Sequence, residues 1–103
     1  MIPTNSFMET NHTVILDGRH FKDKASAHTY LKSRLKLNHY YAGNLDSLFE
    51  ALIMHETPVF IIITNIQILL EALGPYGEKL LETLQVAAAA NVQVTIIINE
   101  TPL

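Results

Sequence analysis

Asp46 and Glu50 stand four residues apart in the run Leu45-Asp46-Ser47-Leu48-Phe49-Glu50-Ala51-Leu52, and Tyr40 and Tyr41 precede them across Ala42, Gly43 and Asn44. In a helix beginning near Asn44 the two carboxylates share a face, roughly 100° or more from the apolar stripe of Leu45, Leu48 and Leu52. Like charges at this spacing repel slightly, and helix stability alone would favour a Lys at one of them. Their pairing without a nearby base suits an exogenous cation. Carboxylates at phosphate-like spacing can fill a basic, phosphate-binding cleft without offering it a cleavable bond. The plainer reading is a solvated face with acids welcome near a helix N-terminus, and spacing alone favours it. Tyr40 and Tyr41 suit a hydrophobic staple or an interface anchor; one buried and one exposed is the expectation.

The surrounding charge is polarised. Residues 37–78 hold five acids (Asp46, Glu50, Glu56, Glu71, Glu78) and no Lys or Arg, whereas residues 1–36 carry six bases against three acids. A net charge of −3 argues against direct nucleic-acid binding and for a basic protein partner. Without Cys there are no disulfides or thiolate metal sites. The five His show no ligand spacing, which predicts surface or loop positions, no metal and no cofactor. Neither a phosphate-cradling glycine motif nor a nucleophile motif occurs. The longest apolar stretch, Val59 to Ile63, is too short for a bilayer. No secretory signal is evident, so a soluble cytoplasmic protein with no membrane association is expected.

The elements that must position these residues follow from periodicity. Residues 1–12 read as a flexible tail and 13–103 as one domain. Thr13 to Leu16 is a first strand closed by Asp17-Gly18, and Lys24 to Leu35 a helix capped by Asp23 or Ser26. The acidic helix runs from about Asn44 to Met54 and is broken by Thr57-Pro58. Val59 to Thr64 and Val92 to Ile98 are strands, with helical patterns over Asn65 to Leu73 and Pro75 to Ala90 between them. Crossovers of this length imply a parallel three-stranded sheet in an α/β domain, order β-α-α-β-α-α-β. Alternation assigns Val14, Leu16, Val59, Ile61, Ile63, Val94, Ile96 and Ile98 to the face that meets the helices. The opposite face, with Ile15, Phe60, Ile62 and Ile97 bounded by Thr13, Thr64, Thr95 and Asn99, is mixed. It needs cover from a loop, the tail or another chain, which leaves self-association open. The Ala87 to Ala90 run is expected to allow close helix packing.

The pattern Tyr-Tyr-x-x-Asn-Leu-Asp-x-Leu-x-[Asp/Glu]-x-Leu, here Tyr40 to Leu52, resembles the signature of barstar-type ribonuclease inhibitors. The resemblance continues through Val14-Ile15-Leu16-Asp17-Gly18, Thr57-Pro58-Val59 and Val94-Thr95-Ile96-Ile97-Ile98, and so covers residues 13–99 colinearly. It implies a small α/β inhibitor, not an enzyme, whose second helix and preceding loop plug a basic, secreted guanyl-specific (barnase-like) ribonuclease. Such a toxin and immunity pair protects the producing cell. By the resemblance, Tyr40 packs against the ribonuclease, and Asp46 and Glu50 meet its catalytic Arg, Lys and His groups. Glu50 puts a carboxylate where a substrate phosphate would lie. Tyr41 and Gly43 belong to the same stretch, and Ala42, Asn44, Leu45 and Phe49 fall at further contact positions.

Departures from the family pattern are as informative. Ala42 stands where Gly is usual and would resist a positive φ or crowd the partner's backbone; Glu50 replaces Asp; Phe49 replaces Trp and lacks its N–H. Gln85 or Val86 sits where a further acid is expected, and the loop from Ile53 to Thr57 is shorter by about one residue. These differences imply a different cognate enzyme or a weaker complex. A barstar-like binding or immunity protein for another toxin or a regulatory protein is the alternative. An enzyme using Asp46 and Glu50 as acid and base ranks last; it would need a concave pocket around those carboxylates, and a convex helix surface would count against it.

Overall fold

A computed structural model describes residues 12–100. β1 (His12–Asp17) passes through a 3-10 turn (Gly18–His20) into α1 (Lys24–Leu35) and α2 (Leu45–Ile53). β2 (Val59–Thr64), α3 (Ile66–Leu73), α4 (Pro75–Ala90) and β3 (Val94–Ile98) complete the chain. All three strands are parallel, in the order β1-β2-β3, so the expected β-α-α-β-α-α-β topology is present. The expected tail falls on residues 1–11, outside those described, and on His12, which already pairs with Val59 in β1.

The register sets Val14, Ile61 and Ile96 in one row, and Leu16, Ile63 and Ile98 in the next. Val14, Leu16, Val59, Ile61, Ile63 and Val94 are buried, while Ile96 and Ile98 at the β3 edge are half-buried against the same core. This face meets Leu31 of α1, Leu48 and Leu52 of α2, Leu69 of α3, and Leu80, Leu84 and Ala87 of α4 in one cluster. Each large side chain fully buried there contributes about 1.5–3 kcal/mol. In the alanine run Ala87 is buried but Ala89 and Ala90 are exposed, so only its first part packs closely.

On the opposite face Ile15 and Ile97 are exposed, with Phe60 and Ile62 half-buried, as the mixed pattern predicts. Thr64 departs from it and is buried. There the turn after β1 closes on the end of β2: Gly18 lies so near that a Cβ on it would sit 2.1 Å from the Asn65 carbonyl oxygen and 2.8 Å from that of Thr64. Asn65, at φ 54°, starts α3, and its Nδ2 donates to Asp17 Oδ1 at 2.9 Å. Asp17 also pairs with Arg19 at 2.7 Å, and these donors hold its carboxyl well below the usual carboxylate range.

Candidate partner-binding face

α2 starts where its sequence provides a reciprocal cap. Asn44 is extended, its Oδ1 accepts the Ser47 N–H at 2.8 Å, and Ser47 Oγ accepts the Asn44 N–H at 3.5 Å. Ser47 Oγ also accepts the Ala42 N–H at 3.2 Å, so one hydroxyl ties the loop to the helix. The positive φ falls on Gly43, at 73°, and Ala42 does not share it. The expected conflict at Ala42 therefore does not arise; the neighbouring glycine absorbs a conformation that costs other residues roughly 1–2 kcal/mol.

The far end of α2 is held from another element. Asn91, just after α4, donates from Nδ2 to the Leu52 and His55 carbonyl oxygens, each at 2.9 Å, satisfying groups that a helix C-terminus leaves open. Leu48 and Leu52 are fully buried, and Leu45 and Phe49 pack partly against the core. A helix capped at both ends and seated on its apolar stripe presents its outer residues with little freedom.

Asp46 and Glu50 are both exposed on that outer side. Among the described residues neither forms an ion pair; the only such pair is Arg19–Asp17. The two carboxylates border different hollows. Glu50 lines an open cleft of ≈ 680 Å³ with Tyr40, Tyr41, Met54, Glu56 and Lys36. Asp46 lines a smaller hollow of ≈ 250 Å³ between α2 and α4, with Leu45, Phe49, Glu82, Thr83 and Val86. The negative region is thus less uniform than the sequence suggests, because α1 ends with Lys36 in left-handed backbone and brings that base to the Glu50 cleft. Conversely Glu82, from outside the 37–78 acidic stretch, joins Asp46. Val86, one of the two positions where the resemblance predicts an acid, is 49% exposed beside it and leaves an apolar spot there.

The tyrosines divide as expected. Tyr40 is 80% exposed and rests on the His39 ring, their centroids 4.1 Å apart. Asn38 holds both backbones, its Oδ1 accepting the Tyr40 N–H at 2.8 Å and its carbonyl the Tyr41 N–H at 3.1 Å. Tyr41 is half-buried, and its hydroxyl bonds Nδ1 of His28. His28 is buried on α1 rather than at the surface, so that expectation fails. Its Nε2 meets the Tyr76 hydroxyl at 2.6 Å, and two tyrosines replace the water a surface imidazole would have. Burial lowers the His28 pKa and raises those of Tyr41 and Tyr76, with Tyr76 adding to the effect on Tyr41.

Ser47, Asn91, His28 and Tyr76 were absent from the predicted site. The Asn44-x-x-Ser47 spacing marks the first; nothing local marks the other three. Among the described residues no group of three His, Asp or Glu is placed to hold a metal, and no helix is long and apolar enough to cross a membrane.

A parallel three-stranded sheet, helices gathered on one face and an acidic helix turned outward define a small α/β protein with a built surface feature. The family model Barstar (barnase inhibitor) matches residues 11–99, and the chain belongs to the barstar family. It is also 33% identical over 75 residues to the Bacillus subtilis (strain 168) protein named "Putative ribonuclease inhibitor YrdF", an overlap covering 72% of this chain and 82% of that protein.

Proposed function

We propose that this protein is a non-enzymatic inhibitor of a basic guanyl-specific ribonuclease, acting in the cytoplasm and binding one-to-one through Tyr40, Tyr41, Ala42, Gly43, Asn44, Leu45, Asp46, Phe49 and Glu50. The observation that carries this reading is that Asp46 and Glu50 stand exposed and, among the described residues, without an ion-pair partner on a helix capped at both ends. A positive phosphate cleft supplies the missing cations, and a preorganised helix loses little entropy on entering it. Charges buried in such a complex are tolerated only when each meets a partner, which makes the fit selective. Family membership and the ribonuclease-inhibitor name of the Bacillus relative support the same class of partner.

The opening of Asp46 and Glu50 into separate hollows counts against an acid–base pair working on one substrate. Exposed Val86 and adjacent Glu82 favour a cognate partner whose surface differs from the family prototype's, another toxin included. Titrating the protein into RNA-cleavage assays of guanyl-specific ribonucleases tests the proposal. Loss of cleavage should reach completion near equimolar protein and weaken with added salt. Undiminished cleavage at large excess across several such enzymes would leave the alternative toxin or regulatory partner as the reading, to be sought by copurification.

A further inference from the structure

His28 has no place in the contact face, yet it is the buried link between that face and α4. Both ring nitrogens are engaged, Nδ1 by the Tyr41 hydroxyl and Nε2 by the Tyr76 hydroxyl at 2.6 Å. A neutral imidazole has one N–H donor and one acceptor, so one tyrosine donates to the ring and the other accepts from it. The three groups therefore form a continuous chain from α4 through α1 to the loop before α2. Its anchored end is firm: Tyr76 lies in the first turn of α4, next to buried Gly77, and Lys24 Nζ sits 4.7 Å from the centre of its ring. Its other end is the loop, where Gly43 contributes no side chain and the described hydrogen bonds are short-range ones to Asn38 and Ser47.

We infer that His28 and Tyr76 are positioning residues for the partner-binding loop, holding Tyr41, and with it the Tyr40 to Gly43 backbone, in the conformation that meets the partner. The inference rests on the proposed use of that loop, although the ordering itself can be measured without any partner. A loop held only by Asn38 and Ser47 would open locally while the sheet stayed closed. The Tyr41–His28–Tyr76 chain ties that opening to the helical layer. Tyr76 is outside the candidate contact residues, so its effect on binding has to pass through His28 and Tyr41.

Amide hydrogen exchange of the full chain compares the unaltered protein with Tyr76→Phe, which keeps the ring and removes only the hydroxyl, and with His28→Gln. The amides of Tyr40, Tyr41 and Ala42 should exchange about five- to tenfold faster in Tyr76→Phe, the effect of losing one hydrogen bond, and at least as fast in His28→Gln. The β2 amides of Ile61 and Ile63, which exchange only through global unfolding, should accelerate no more than the loop amides do, by the loss of stability that urea unfolding gives for the same variant. Loop amides left at their original rates while β2 accelerates, or while neither changes, would overturn the positioning role. Because no ribonuclease enters the measurement, its failure is separable from failure of the inhibitor reading.

Discussion

Asp46 and Glu50 stand one helical turn apart on α2, yet Asp46 opens toward Glu82 and Val86 of α4 while Glu50 opens toward Tyr40, Tyr41 and Lys36. The two carboxylates, neighbours along the helix, thus border different hollows. Asp46→Asn and Glu50→Gln should each slow association with a basic ribonuclease at low salt, and more than Glu71→Gln does. If each carboxylate meets its own partner cation, as the separate hollows favour, the double variant should approach the sum of the singles within about 0.5–1 kcal/mol, the margin that neighbours one turn apart allow. Stopped-flow association rates and a double-mutant cycle check both points. A large coupling would mean that one partner cation spans both hollows.

Asn91 gives α2 its C-terminal anchor, so Asn91→Ala removes the side-chain donor from the His55 carbonyl oxygen and leaves that of Leu52 only its backbone donors, Met54 and His55. The expected loss is about 1–3 kcal/mol in urea unfolding. Asn91→Asp should be at least as harmful: it keeps the oxygen that accepts the Gln93 N–H but turns a carboxylate oxygen toward carbonyls.

His28 predicts a pH dependence whose sign follows from burial. Its folded-state pKa lies below the ordinary 6.5, so the unfolded chain takes up the proton first as pH falls. The neutral ring's contribution is complete above pH 6.5 and is lost as pH falls from there through the folded value. Urea midpoints measured from about pH 8 to about pH 5 should fall more steeply for the unaltered protein than for His28→Gln. Parallel profiles would show that His28 does not carry the linkage.

Gly18 is constrained by space. A methyl group there would meet the Asn65 carbonyl oxygen at 2.1 Å, and that oxygen belongs to backbone that cannot swing aside as a side chain would. Gly18→Ala should cost about 3 kcal/mol and separate the turn from the start of α3. Thermal unfolding measures the cost. A melting temperature equal to that of the unaltered protein would mean that the β1–β2 ends are looser than they stand here.

Much of this protein was determined by residues close together along the chain. Strand alternation depends on every second side chain, and Val14, Leu16, Ile61 and Ile63 are buried as it requires. Helix limits depend on caps within three residues, as at Asp23–Ser26 and Asn44–Ser47, or on proline at a first turn, as at Pro75. The acidic helix, its paired carboxylates and the division of the two tyrosines into one exposed and one buried were legible for the same reason, and the Tyr40 to Leu52 pattern carried the family. What only the tertiary structure decided involves residues far apart: His28 with Tyr76, 48 positions away, Asn65 with Asp17 at the same separation, and Asn91 with Leu52, 39 away. A lone His or Asn carries no period that names its partner. Its environment exists only once parallel crossovers bring α1, α2 and α4 onto one sheet face, so the same packing that buries the leucines also decides which hollow each carboxylate faces.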